Sequence, residues 1–245
     1  MLYWVLKAVL TPILRVVFRI DVQGLENIPE KGAAILAPNH TAFCDSVFLP
    51  AMVPRRVVFL AKKEYFTGRG LKGWVIRSFM GAIGMVPIDR TSGSAAKAAM
   101  VTGTRVLAEG KLLGIYPEGT RSPDGRLYRG KTGVARMALE ARVPVIPVVL
   151  LGTERVQPVG RKWPRIHRIR IRIGTPLDFS RYDDMAGDRF VERSMTDELM
   201  YELMMLAGRE YVDVYAAKVK VVMDRTGTSA PEAVEQMRGT PRLAA

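Results

Sequence analysis

The sequence predicts one α/β domain with a largely parallel central sheet flanked by helices, preceded by an amphipathic helical element at the amino terminus. Short, continuous apolar runs end at turn residues, and helical patterns lie between them. Continuous apolar runs are typical of strands covered on both faces, and their alternation with helices is typical of a parallel sheet. The 245 residues, 48% of them hydrophobic, are about the upper size of a single core.

The domain boundaries follow from shifts in pattern along the chain. We expect residues 1–21 to form the membrane-associating helical element and residues 22–224 to form the domain. Residues 225–245 lose apolar periodicity, so we expect a flexible carboxyl-terminal tail.

The amino-terminal segment is apolar but interrupted at regular intervals by Lys7, Thr11, Arg15 and Arg19. On a helix, residues four apart advance by about 40°, so these side chains form one polar strip about 120° wide. A membrane-spanning helix would bury three cations, which is costly. We interpret residues 1–20 as an interfacial helix with its cations toward anionic headgroups. The alternatives are two short interfacial helices broken near Pro12, a helix that packs on the domain's own core and, less favoured, a true membrane span.

Five apolar runs predict the strands of the sheet; they cover residues 33–37, 57–61, 82–86, 112–116 and 145–151. Helical patterns and possible caps predict helices over 94–109, 132–141 and 196–215, the last beginning at Thr196. Residues 168–173 alternate Arg and Ile, which indicates a strand with one buried and one cationic face. We interpret the Arg row as a solvated face that protects a sheet edge, with contact to lipid phosphates as the alternative.

The charge of the chain favours an anionic partner. Lys and Arg total 37 against 24 Asp and Glu, a net charge of +13, and residues 1–182 alone carry +17. Nucleic acid, anionic lipid, a phosphorylated substrate and an acidic carrier protein all fit such a surface. Cys44 is the single cysteine, which excludes an intrachain disulfide and a thiolate-rich zinc site. With two histidines in the chain, we expect no structural metal site.

The first chemical motif runs from Asn39 to Asp45, directly after a predicted strand. Positions five apart on a helix point about 140° away from each other, so His40 must lie in the strand-to-helix turn and Asp45 in the first helical turn. The carboxylate would keep one imidazole nitrogen protonated and leave the other free to accept a proton from a hydroxyl. A buried histidine beside a capping Asp is the alternative, and Cys44 as a nucleophile is less favoured.

Two further motifs, Gly84–Arg90 and Tyr116–Ser122, each span the end of a predicted strand, which stops at Pro87 and at Pro117 respectively. Sites of α/β sheets collect beyond the carboxyl ends of their strands. Arg90 could bind an anion with two donors, or form a surface ion pair. The second loop combines a glycine, a hydroxyl and a planar set of donors suited to phosphate, in Gly119, Thr120 and Arg121. A solvated turn is the alternative there.

These motifs, followed in order by Val143–Val148, resemble those of the glycerolipid acyltransferase family that contains the 1-acylglycerol-3-phosphate O-acyltransferases. The family's Asn-His-x₄-Asp pattern is matched by Asn39, His40 and Asp45. Its second and fourth patterns are matched by Gly84–Arg90 and Val143–Val148. Tyr116 stands where the third pattern has Phe, a change that we expect to be harmless.

The resemblance implies acyl transfer from acyl-CoA or acyl carrier protein to the sn-2 hydroxyl of lysophosphatidic acid, giving phosphatidic acid without a cofactor or metal. It implies that His40 is the general base, oriented by Asp45. The implied substrate-binding residues are Arg90, Glu118, Gly119, Thr120, Arg121 and, as a weaker candidate, Lys131. It also implies a two-helix membrane-facing element at the amino terminus. We further expect the protein to be associated with the cytoplasmic face of the cell membrane.

Other functions remain open on the sequence alone. Glycerol 3-phosphate or another lysophospholipid could be the acceptor, and a catalytically idle lipid-binding protein would share the same charge pattern. A nucleic-acid-binding module is disfavoured because the cations do not alternate regularly with aromatic residues. The acyl-chain length, the thioester donor and the oligomeric state are not predicted.

Overall fold

The computed structural model describes residues 2–88, 95–158, 161 and 163–239. Its strands are β1 (Asp21–Gln23), β2 (Ala34–Pro38), β3 (Val57–Lys62), β4 (Met85–Ile88), β5 (Leu112–Gly114), β6 (Leu127–Tyr128), β7 (Val145–Leu151), β8 (Arg170–Ile173) and β9 (Tyr211–Val212). Seven of them form one sheet in the order β1-β8-β7-β2-β5-β3-β4, in which every neighbouring pair is parallel except β7 and β8. The predicted fold class, an α/β domain with a largely parallel sheet, is confirmed.

The helices cover both faces of this sheet. They are α1 (Leu2–Val17), α2 (Asp45–Met52), α3 (Gly70–Ala82), α4 (Ala95–Ala108), α5 (Gly133–Ala141), α6 (Thr153–Val156), α7 (Arg189–Ala207), α8 (Ala216–Thr226) and α9 (Ala230–Gly239). In β2, Leu36 packs into the core beneath α2 and α3, whereas Ile35 and Ala37 pack into the core beneath α4, α5 and α7. Both sides of the strand are therefore buried, which explains its unbroken apolar run.

The last long helix, α7, begins earlier than the sequence suggests. Its cap is Asp188, whose carboxylate accepts hydrogen bonds from the backbone N–H groups of Phe190 and Val191. Thr196, the predicted cap, is buried inside the helix and its hydroxyl donates to the carbonyl of Glu192. The prediction was wrong because a hydroxyl that caps a helix can equally bond the preceding turn.

Lys7 and Thr11 of the polar strip face the domain, so the prediction that the cations point toward headgroups is wrong for Lys7. The Lys7 ammonium donates to the carbonyls of Pro50 and Val53, and the Thr11 hydroxyl donates to Ala51 at 2.8 Å. These carbonyls belong to the end of α2, where a cation is favoured by the helix dipole. Only Arg15 and Arg19 of the strip are exposed. Within the described part of the chain, no helix is long and apolar enough to cross a membrane.

The alternating strand β8 is not a sheet edge, so the edge-protecting interpretation of its Arg row was wrong. It lies between β1 and β7, with Ile171 and Ile173 buried. Arg172 pairs with Asp21 of the neighbouring strand at 2.9 Å. The short strand β1, which carries no strong pattern of its own, takes the edge position.

The expected flexible tail does not begin at residue 225, because α8 continues through Thr226 and α9 follows. Ala230, Ala233 and Val234 of α9 are buried against α8 in a small separate core. Their helical spacing is present in the sequence, but alanines give a weak apolar signal. Residues 240–245 lie outside the described chain.

Candidate functional site

The imidazole of His40 and the carboxylate of Asp45 meet in the turn between β2 and α2. His40 Nδ1 lies 3.0 Å from Asp45 Oδ2. The same oxygen accepts hydrogen bonds from the backbone N–H groups of Thr41 and Ala42, each at 2.8 Å. Asp45 is fully buried, whereas the His40 side chain keeps 16% of its surface exposed. The carboxylate therefore both closes the turn and fixes which imidazole nitrogen carries a proton.

Hydrogen bonds from Asn39 hold the turn against the neighbouring strand β7, and one from Thr41 holds it against the start of α6. The Asn39 amide donates to the Leu150 carbonyl at 3.2 Å, and its oxygen accepts from the Leu150 N–H at 2.8 Å. The Thr41 and Thr153 hydroxyls lie 2.9 Å apart. The buried Asn39 side chain therefore continues the pairing of β2 with β7 beyond the end of β2. The asparagine before the histidine thus acts as an anchor, a role that the sequence did not reveal.

Tyr116 supports the imidazole from one side. Its ring stacks on that of His40 with centroids 3.7 Å apart and an interplanar angle of 16°. Its hydroxyl lies 2.6 Å from the hydroxyl of Ser46, the residue that follows Asp45. The Tyr116 ring is therefore held in place by α2, the helix that also carries the Asp45 carboxylate. Stacking requires only an aromatic ring, which agrees with the phenylalanine of the family pattern.

Glu118 joins the turn around His40 to the loop after β5. Its carboxylate accepts a hydrogen bond from the Tyr128 backbone N–H at 3.0 Å and lies 3.5 Å from the backbone nitrogen of His40. The Ser122 N–H donates to the His40 carbonyl at 2.7 Å. The loop 118–122 is thus held against the backbone of His40 from both of its ends. Two motifs that are separated by about 80 positions in the sequence form one site.

Burial raises the pKa of Glu118 to about 8, against the effect of the two N–H groups and with a smaller contribution from the charge of Asp45. Between pH 4.5 and 8 the folded protein therefore holds a proton that the unfolded chain has released. This contribution to stability is complete at low pH and is lost as the pH rises toward 8. Urea titrations measure the unfolding free energies of the wild type and of Glu118→Gln. We expect the difference, wild type minus variant, to fall as the pH rises from 5 to 8. A difference that stays constant or increases contradicts the assignment.

The loop after β5 places its polar groups beside several cations. Gly119 has φ +71, and a Cβ there would lie 3.0 Å from the Cδ and Cε atoms of Lys131. The left-handed backbone therefore favours glycine, and the Lys131 side chain would have to shift slightly to admit a Cβ. The Thr120 hydroxyl accepts from the ammonium of Lys220 at 3.1 Å. Arg121 is half-buried in the same loop. Lys131 thus packs against the loop that carries Gly119, Thr120 and Arg121.

The sequence also offered Arg90 and Cys44 as candidates. Arg90 lies outside the described residues. Burial, with the charge of Asp45, raises the pKa of Cys44 to about 12. The thiol is therefore neutral at physiological pH, and the less favoured interpretation of Cys44 as a nucleophile loses its chemical basis. No group of three or more His, Cys, Asp or Glu with metal-binding geometry occurs among the residues described.

The geometry offers a base, an orienting acid and a cationic loop at one end of the parallel sheet. Nε2 of His40 has no hydrogen-bond partner among the described residues, while Nδ1 is engaged by Asp45. Such an imidazole can accept a proton from a hydroxyl without a protein nucleophile. The loop 119–121 supplies donors and positive charge suited to a phosphate group.

The sequence of the chain is similar to those of known acyltransferases. The acyltransferase family matches residues 19–151. The chain is 29% identical over 173 residues to the chloroplastic 1-acyl-sn-glycerol-3-phosphate acyltransferase LPAT1 of Arabidopsis thaliana, covering 70% of this chain and 47% of that protein. It is 29% identical over 160 residues to the 1-acyl-sn-glycerol-3-phosphate acyltransferase of Bacillus subtilis, covering 64% and 73% respectively.

A solved structure agrees with the fold. The crystal structure of the 1-acyl-sn-glycerophosphate acyltransferase PlsC from Thermotoga maritima superposes with a TM-score of 0.60 at 24% identity, covering 83% of this chain and 82% of that one. The chain spans about half the length of the plant relatives that it matches.

Proposed function

The chain belongs to the acyltransferase family, and from that premise we propose that it transfers a fatty acyl group from acyl-CoA or acyl carrier protein to the sn-2 hydroxyl of 1-acylglycerol 3-phosphate. The observation that carries the proposal is the meeting of the His40–Asp45 pair with the loop 118–122. The matched relatives named for this activity support the same acceptor.

In the proposed reaction, His40 Nε2 accepts the proton of the acceptor hydroxyl as its oxygen attacks the thioester carbonyl carbon. Asp45, hydrogen-bonded at Nδ1, stabilises the imidazolium that forms. The tetrahedral intermediate then collapses, the C–S bond breaks, and the thiolate takes the proton from the imidazolium. The products are the ester and the free thiol, so atoms and charges balance. The thioester provides its own leaving group, and the proposal requires no cofactor.

The acceptor's phosphate is assigned to the loop 119–121. Arg121 would bind it through its guanidinium, with Thr120, Lys131 and the backbone at Gly119 adding donors, while Glu118 keeps the loop beside His40. Arg90 remains a candidate from the sequence alone. Anchoring the phosphate would hold the hydroxyl near the base, and such positioning can lower a barrier by several kcal/mol, about 7–11 at most.

The test is a matrix of donors and acceptors with purified protein in detergent. Acyl-CoA and acyl carrier protein are each combined with lysophosphatidic acid, glycerol 3-phosphate and lysophosphatidylcholine. We expect phosphatidic acid as the main product and lysophosphatidic acid as the preferred acceptor. A preference for glycerol 3-phosphate or for the choline lipid would move the assignment to that acceptor. Hydrolysis of the thioester without any acylated product contradicts acyl transfer.

We further infer that α1 and α3 bind the membrane surface at the cytoplasmic face, where lipid substrates reside. The exposed large apolar side chains of α1 are Trp4, Val5, Val9, Ile13 and Val16, and all of these except Trp4 share one face of the helix. The adjoining helix α3, which contacts α1, exposes Leu71, Trp74 and Val75. Contiguous apolar surface of this kind is uncommon on proteins surrounded by water and typical of helices that lie in a lipid interface.

Replacing both Val9 and Ile13 with Glu is expected to weaken binding to phosphatidylglycerol-containing vesicles at least tenfold, because two half-exposed apolar side chains (54% and 51%) lose their contact with lipid. Co-sedimentation measures it. The control is Phe190→Glu, which alters an 88% exposed side chain on α7 across the sheet. Equal binding of the double variant and the wild type contradicts this membrane surface.

A further inference from the structure

The carboxyl-terminal helix α8 sends one lysine into the loop assigned to phosphate. Lys220 Nζ donates to the Thr120 hydroxyl at 3.1 Å. Arg121 is close enough for its charge to lower the pKa of this lysine. The contact joins residues that are 100 positions apart, and α8 lies beyond the stretch 19–151 that matches the family.

A pair of short strands joins α8 to the loop 118–122. Strand β6 follows the loop 118–122, and strand β9 precedes α8. The two strands pair in parallel, with Leu127 opposite Tyr211 and Tyr128 opposite Val212. Tyr128 is fully buried against α8 and α9. The Tyr128 N–H is also the donor to Glu118. One short strand therefore connects the carboxyl-terminal helices to the carboxylate that holds the loop.

Three cationic side chains surround the Thr120 hydroxyl without a direct carboxylate partner among the described residues. Lys131, Arg121 and Lys220 lie around this loop, and none of them forms an ion pair with a described acidic residue. Burial, followed by the charge of Arg121, lowers the pKa of Lys220; Glu118 and Asp224 act in the opposite direction. Gathering like charges at a partly buried place costs free energy, and a bound anion would offset that cost.

We propose that Lys220 is a further contact for the phosphate monoester of the acceptor, so that α8 forms one wall of the acceptor site. This inference rests on the proposed function. The ammonium is a compact charge that can hold a phosphate oxygen and the Thr120 hydroxyl at once, while Arg121 supplies the planar donors. The carboxyl-terminal element thus selects the substrate and does not merely cover the core.

The test compares Lys220→Met with Lys218→Met, a matched change of an exposed lysine on the same helix. Initial rates are measured with lysophosphatidic acid varied at saturating acyl-CoA, and again with the donor varied. We expect Lys220→Met to raise the acceptor KM about tenfold to a hundredfold, the size of one lost charge-assisted hydrogen bond. We expect kcat to change less than about threefold and the donor KM to stay unchanged. Lys218→Met should match the wild type, and Lys220→Arg should recover part of the loss.

A phosphate-free acceptor separates binding from a structural role. With 1-acylglycerol, Lys220→Met and the wild type should turn over at the same low rate. An unchanged acceptor KM in Lys220→Met overturns the proposal, as does an equal loss with both acceptors accompanied by a lower melting temperature. If the wild type itself fails to acylate lysophosphatidic acid, the proposed function fails first, so the two failures are distinguishable.

Discussion

Replacing His40 with alanine is expected to lower kcat/KM for acyl transfer by about 10²–10⁴-fold, the usual contribution of a placed general base. The Asp45 carboxylate and the Tyr116 ring both contact the imidazole, and these contacts set the orientation of the imidazole ring. The backbone bonds of the turn do not involve the imidazole. The variant should therefore fold as the wild type does, with a similar circular dichroism spectrum.

The matched control is His167→Ala, which removes the chain's other histidine and should retain activity. Asp45→Asn is a less clean variant, because Asp45 Oδ2 also accepts the N–H groups of Thr41 and Ala42. It should lower both the rate and the melting temperature. Full activity in a folded His40→Ala protein contradicts the assignment of this residue as the base.

Arg121→Ala is expected to raise the acceptor KM about tenfold to a hundredfold, because a phosphate loses a guanidinium that can donate two hydrogen bonds. Arg121→Lys should recover only part of this loss, since an ammonium is a point charge without the planar donor pair. Initial rates with lysophosphatidic acid varied at saturating donor measure both variants.

Arg136→Ala provides the control for the loss of one positive charge. Arg136 is exposed on α5 and pairs with Glu140 four residues on. If Arg121→Ala and Arg136→Ala change the acceptor KM to the same small extent, the loop 119–121 does not bind the phosphate. The effect of Arg121→Ala should also weaken at high salt, because part of it is long-range attraction.

The fold and the centre of the site could be predicted because their signals are local. The buried strands β2 and β7 are continuous apolar runs, and the His40–Asp45 contact lies within seven consecutive residues that link a strand to a helix. Proximity of His40 to the loop 118–122 follows from parallel strands, whose carboxyl ends lie at one edge of the sheet.

The contribution of Lys220 could not be predicted, because it depends on the pairing of β6 and β9, each two residues long. Strands so short show no periodicity. The contacts of Lys7 were mispredicted for a different reason. The pattern of α1 separates a polar strip from an apolar face, but Lys7 and Thr11 turn inward because the carbonyls at the end of α2 accept from them, whereas Arg15 and Arg19 are exposed. A pattern reveals two faces without revealing which neighbour each one meets.

The most direct test is a crystal structure with a bound 2-deoxy analogue of lysophosphatidic acid carrying an amine at the reacting position. We expect the amine nitrogen within about 2.6–3.2 Å of His40 Nε2, the separation that proton transfer requires. We expect the phosphate on Arg121 and Thr120. A ligand whose phosphate binds elsewhere, or whose reacting position lies beyond the reach of the imidazole, contradicts the account.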